Sequence, residues 1–106
     1  SGAKSQLPRK FAMGSAVSVK KTVGCYYIRL MVEDRPGVLG EIANILGQNN
    51  VSVASVIQEG RAQDQVPLVF LTHEVNYGSL EKGLELIGRL PCVREIANVI
   101  RVERGY

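Results

Sequence analysis

Apolar and polar residues alternate along residues 25–32, so that Tyr26, Ile28, Leu30 and Val32 share one face and Tyr27, Arg29 and Met31 the other. A period of two predicts a half-buried strand. The period then changes. Within residues 36–48 the apolar positions Val38, Leu39, Ile42, Ala43 and Leu46 recur at i, i+3, i+4 and i+7, the stripe of an amphipathic helix, and Gly47-Gln48-Asn49-Asn50 supplies its stop. Residues 51–59 are rich in β-branched side chains and predict a second strand. The polar run 60–65 makes a turn, and a third strand follows over 66–75, with Pro67 tolerated because it stands at the very start. Asn76 or Ser79 is the candidate cap of a second helix that turns Leu80, Leu84, Ile87 and Leu90 to the core and is closed by Pro91. A last strand over 93–103 sets Ile96, Asn98, Ile100 and Val102 against Ala97, Val99 and Arg101.

The order βαββαβ predicts an α+β, ferredoxin-like sandwich. Right-handed crossovers place both helices on one face of a four-stranded antiparallel sheet of order 4-1-3-2. The second strand is then an edge. Its Val51, Val53, Ala54, Val56 and Ile57 carry no charge, and such an edge invites pairing with a second copy of the chain, giving a homo-oligomer that is at least a dimer.

The corner between the first strand and the first helix, residues 33–40, concentrates unusual residues. Pro36 suits a first helical turn and drives Arg35 into an extended conformation, which ends the strand. Asp34 is short enough to cap the helix, and its charge suits the positive end of the helix dipole. Gly37 removes the side chain that would keep a ligand from the N–H groups of Gly37, Val38 and Leu39, where a carboxylate or phosphate could sit. Capping and ligand binding both remain open from the residues alone.

Composition narrows the rest. A chain of 106 residues is one domain with one core. Its formal charge of +3 is uneven: residues 1–24 hold five basic residues and no acid, whereas the remainder has eight basic against ten acidic. The first 24 residues lack an apolar period and read as a flexible arm, a linker or an addition made for expression. With no clustered Lys and Arg on the folded part and no stacking row of aromatics, nucleic acid is an unsuited partner. Apolar runs far shorter than about 20 residues predict no membrane span, and the cytoplasm is the default location. Cys25 and Cys92 lack Cys-x-x-Cys spacing and His73 lacks a ligand partner, so no metal site is expected. In the predicted topology the two cysteines lie at opposite ends of the sheet, which predicts free thiols. No nucleophile elbow, dinucleotide fingerprint, phosphate loop or His-Glu-x-x-His occurs, so no catalytic residue and no cofactor site are expected in this chain.

The runs Tyr27-Ile28-Arg29-Leu30-Met31-Val32-Glu33-Asp34-Arg35-Pro36-Gly37-Val38-Leu39 and Asn50-Val51-Ser52-Val53-Ala54-Ser55-Val56-Ile57-Gln58 together resemble an ACT domain, the small-molecule-sensing module of many enzymes of amino-acid metabolism. With the later Val66-Pro67-Leu68-Val69-Phe70-Leu71-Thr72-His73, the pattern is most similar to the C-terminal ACT domain of bacterial homoserine dehydrogenase. The resemblance covers residues 25–104. It implies an amino-acid ligand, threonine first, held by Asp34, Arg35, Pro36, Gly37, Val38 and Leu39, with Asn50 and Ser52 contributed across a dimer joined by the second strand. It also implies a catalytic domain elsewhere that uses NADP or NAD. Asp34 stands where some amino-acid-binding relatives carry Asn, and its charge suits an ammonium rather than a carboxylate. Two other readings stay open: a module that only dimerises, and the regulatory subunit of acetohydroxyacid synthase with a branched-chain amino acid as ligand.

Overall fold

The structure is a computed structural model that describes residues 23–60 and 64–102. Seven elements follow in order: β1 (Val23–Glu33), α1 (Val38–Gln48), β2 (Val53–Gln58), β3 (Gln65–Thr72), β4 (Val75–Asn76), α2 (Tyr77–Gly88) and β5 (Val93–Val102). All pairings are antiparallel. β1 lies between β3 and β5, and β2 borders β3 on its far side. Taking β3 and β4 as one interrupted strand, the spatial order is the predicted 4-1-3-2.

The interruption is the main departure. β3 pairs Tyr27 with Leu71, whereas β4 pairs Val23 with Asn76, so the register slips by one between them, around His73 and Glu74. Two bonds satisfy the backbone there: the Tyr26 amide donates to Thr72 Oγ1 at 3.0 Å, and the His73 amide donates to Ser52 O at 2.8 Å. The expected continuous strand 66–75 is therefore two strands. Val23 and Gly24, assigned from sequence to the arm, are strand residues because β4 supplies their partner. Residues 1–22, the rest of that expected arm, lie outside the described residues.

β1 presents Tyr26, Ile28, Leu30 and Val32 to the core, each at most 2% exposed. Both helices cover that face. Ile42 and Leu46 of α1 join Leu80, Leu84 and Ile87 of α2 in one cluster with the core side of the sheet. α2 begins as its sequence predicts, with Asn76 Oδ1 accepting from the Gly78 amide at 2.8 Å.

β5 departs from simple alternation. Its register with β1 shifts between Arg29 and Leu30 and again between Met31 and Val32, leaving Ala97 and Arg94 as extra residues. A bulge inserts one residue and flips the face of those that follow. Val99 consequently joins Ile96 on the core side while Ile100 is 50% exposed, correcting the expected pairing of Ile96 with Ile100. The face without helices carries Tyr27, Val69, Leu71, Ile57 and Ile100, with an Arg29–Glu59 ion pair of 3.2 Å across it.

Candidate functional site

β1 ends at Glu33, and α1 begins at Val38 with Gly37 as its N-cap. Gly37 has φ 88°, the left-handed region, and no side chain caps the helix. Asp34 is thus not the N-cap, which corrects one of the two readings of the sequence. Pro36 and Gly37 form a turn that carries the chain past Asp34 before the helix starts. The helix stripe likewise starts at Val38 rather than at Pro36.

Beside this corner lies a cleft of about 330 Å³, open to solvent. Its floor is apolar and drawn from three elements: Val32 of β1, Val66 and Leu68 of β3, and Val38 with Leu39 of α1. Its rim is polar, made by Glu33, Asp34, Arg35 and the amide of Gln58 at the end of β2. An apolar floor under a rim of both charges can take a small amphipathic zwitterion: carboxylates for an ammonium, and a guanidinium beside the positive end of a helix for a carboxylate.

The rim is tied together. Arg35 Nε donates to Glu33 Oε1 at 3.1 Å, and its Nη2 stands 3.9 Å from Glu41 Oε1. The thiol of Cys92, buried under the cleft's corner, donates to the same Glu41 oxygen at 3.2 Å. Burial pushes the Cys92 thiol up, the hydrogen bond and charge of Glu41 push the same way, and Arg35 opposes them. The backbone closes the circle, Glu33 N donating to Cys92 O at 2.8 Å.

The residues expected to bind ligand divide into two groups. Asp34, Arg35, Val38 and Leu39 line the cleft, and Pro36 and Gly37 form the turn beside it. Asn50 and Ser52 do not reach it. They follow the far end of α1, and eleven helical residues separate them from the cleft by about 16 Å at 1.5 Å per residue. Only a second copy could bring them near. Of the residues expected on the dimer edge, Val53, Ala54, Val56 and Ile57 belong to β2, but Val51 does not. It is 2% exposed in the core, and its amide is spent on Leu46 O at 2.9 Å. Val66, Leu68, Gln58, Glu41 and Cys92 were not foreseen as parts of the site. The strand register would have flagged the first two, since they flank Val32 and Leu30 across the β1–β3 ladder.

Among the described residues no group of three His, Cys, Asp or Glu side chains could hold a metal ion, and no helix is long and apolar enough to cross a membrane. Cys25 and Cys92 are free and buried. Cys25 pairs with Val102, while Cys92 adjoins Val93, which pairs with Val32.

A split sandwich with a cleft at its first strand-to-helix corner defines a small α+β domain of the ferredoxin-like kind, and the chain belongs to the ACT domain family, whose model matches residues 26–92. Within that family its similarity runs to homoserine dehydrogenases. It is 32% identical over 97 residues to that of Neisseria gonorrhoeae, covering 91% of this chain and 22% of the relative. With that of Synechocystis sp. it shares 36% over 84 residues, 79% of this chain and 19% of the other. The crystal structure of a homoserine dehydrogenase from Thiobacillus denitrificans superposes with a TM-score of 0.74 at 28% identity, over 87% of this chain and 20% of that one. The chain therefore spans about a fifth of the length of the relatives it matches. The ACT domain of a GTP pyrophosphokinase from Chlorobium tepidum shares the fold, with a TM-score of 0.58 at 15% identity.

Proposed function

We infer that this chain is the amino-acid-sensing regulatory module of a homoserine dehydrogenase, with threonine as its ligand. The observation that carries this reading is the start of α1 at Gly37, which has no side chain of its own, beside a cleft lined by apolar residues and by charges of both signs. A threonine carboxylate would sit against the first amides of α1 and Arg35, its ammonium against Asp34, and its methyl group on Val32, Val38 and Leu68. The similarity to homoserine dehydrogenases supports the choice of threonine as an end product of the same pathway. Reduction chemistry with NADP or NAD would belong to a catalytic domain outside these 106 residues.

The second element of the reading is a dimer. β2 is an edge strand of six residues without a charge and with one register shift, between Val53 and Ser55, whereas β5, the opposite edge, has two bulges together with Arg94, Glu95 and Arg101. Edges are blunted by such devices, and β2, which lacks the charges, is the less guarded of the two. Antiparallel pairing of β2 with its copy about a two-fold axis would lay the start of one strand beside the end of the other. Ser52 and Asn50 of a second copy would then approach Gln58, which is on the cleft's rim. This supports a site completed at the interface.

A thermal-shift screen of the 106-residue chain against the twenty amino acids tests the reading. At a hundred times its Kd a ligand adds about 2.7 kcal/mol to stability, and each kcal/mol raises the Tm of a domain this size by roughly 4–8 °C. Threonine should give a saturable rise of that order. If none of the twenty shifts the transition, sensing is refuted and the uncharged β2 edge favours a module that only joins subunits.

A further inference from the structure

Among the described residues Arg35 is the only cation on the cleft's rim, and its bonding is incomplete. Of its five N–H donors, Nε makes one good hydrogen bond, to Glu33 at 3.1 Å. Nη1 reaches the carbonyl of Pro36 at 3.5 Å, and Nη2 faces Glu41 at 3.9 Å, beyond hydrogen-bond length. The side chain is 48% exposed, so its two ion pairs are screened and weak. A bidentate carboxylate offers a guanidinium two short charge-assisted bonds, more than Glu33 and Glu41 together supply here. Glu41 is the hinge of the cluster. The same oxygen, Oε1, accepts the Cys92 thiol at 3.2 Å and faces Arg35. Removing the guanidinium leaves that carboxylate with the buried thiol as its nearer partner. Cys92 occupies the turn between α2 and β5, where its carbonyl holds the last amide of β1.

We propose that Arg35 is the receptor for the ligand's carboxylate and that it leaves Glu33 and Glu41 to bind it, so that filling the cleft is relayed through Glu41 to the thiol of Cys92 and the turn before β5. This rests on the reading of the cleft as an amino-acid site. It goes beyond that reading by having Arg35 exchange its partners Glu33 and Glu41 for the ligand and by naming the place where capture is felt. Loss of Arg35 from Glu41 concentrates the carboxylate's charge on the thiol proton. The S–H···O bond strengthens, and the S–H stretching band moves to lower frequency.

The test uses the 106-residue chain with Cys25 replaced by Ala, which leaves Cys92 as its single thiol. Infrared spectra in the S–H region are recorded as threonine is titrated, with binding followed in parallel by calorimetry. Should that background fail to fold, difference spectra between the parent chain and C92A isolate the same band. The expected result is a band that falls in frequency in proportion to occupancy. R35Q should show the lowered band without ligand and bind threonine at least about tenfold more weakly, and R35K, a point charge without the fork, should fall between. Threonine bound with the band unmoved overturns the relay. Binding by R35Q as tight as the parent's overturns Arg35 as receptor, and both results leave the sensing reading standing. Absence of binding by the parent chain to any of the twenty amino acids refutes the sensing reading itself, and the proposal with it.

Discussion

Gly37 holds φ 88°, a conformation in which a β-carbon crowds the following carbonyl. Nothing lies within 4 Å of the place where its Cβ would stand, so the requirement for glycine is one of backbone strain and not of space. Gly37→Ala should therefore lower stability by about 1–2 kcal/mol. Gly37→Asn should cost less, because asparagine visits the left-handed region more readily. Chemical denaturation of the two variants separates strain from crowding, since a crowded site would penalise asparagine more than alanine. Two buried protons make a second prediction. Burial raises the Cys92 thiol, with Glu41 adding to it, and burial raises the Tyr77 hydroxyl, with Glu81 and Tyr26 adding to it. Both groups are held neutral in the fold and ionise first in the unfolded chain. Stability is thus full below the ordinary thiol value of about 8.5 and declines as pH rises above it, with Tyr77 joining above about 10. Urea midpoints measured from pH 7 to 11 should fall, and should fall less steeply in C92A and in Y77F.

At the scale of the element, α2 crosses α1 at Gly83, a buried glycine in the middle of a helix. A methyl group there would stand 3.6 Å from Leu46 Cδ2 and 3.7 Å from Asn49 Cβ, ordinary contact distances. Glycine costs a helix interior about 0.5–1 kcal/mol relative to alanine. Gly83→Ala should raise stability by about that amount, and a loss on thermal or urea unfolding would mean that the two helices cannot accept the methyl group. The helices were readable from sequence for local reasons: an apolar period, the Asn76 cap, and Pro91 just after the end. α1 was readable only from Val38 onward, because a proline and a left-handed glycine shape the turn before it and the period does not register turns. In β5, Ala97 and Arg94 are ordinary strand residues, and nothing in their chemistry marks them as bulges. The bulges exist because β5 must match the register of β1 at Cys25 and at Val32 with two residues to spare.

For the whole molecule, the sheet presents one charged edge with two bulges, β5, and one uncharged edge with a single register shift, β2, and the assembly is expected to form at the uncharged one. Val56 is 37% exposed in the middle of β2, so a lysine there can reach solvent without disturbing the core. Val56→Lys should shift the mass found by light scattering from dimer toward monomer while the circular dichroism stays unchanged. A parent chain that is monomeric at micromolar concentration would refute the β2 interface. The candidate site belongs to the same scale. Asp34, Arg35, Val38 and Leu39 were legible as a group because they are adjacent along the chain. Gln58, Val66, Leu68 and Cys92 were not, because they arrive from β2, β3 and the turn before β5.

Local chemistry sufficed for the strand face of Tyr26, Ile28, Leu30 and Val32, for the two helical stripes and for the capping of α2, since each depends on neighbours a few residues away. Strand order followed as well, because chain handedness leaves few ways to connect βαββαβ. Tertiary structure alone decided the break between β3 and β4, the turning of Val99 inward and Ile100 outward, the burial of Val51 and the place of Gly37 rather than Asp34 as N-cap. Those depend on register, and register is set where distant strands meet: Tyr26 needs a partner for its amide and finds Thr72, 46 residues on. The Glu33–Arg35–Glu41–Cys92 ring has the same origin, for it closes only when the fold carries Cys92 back to the corner where α1 begins.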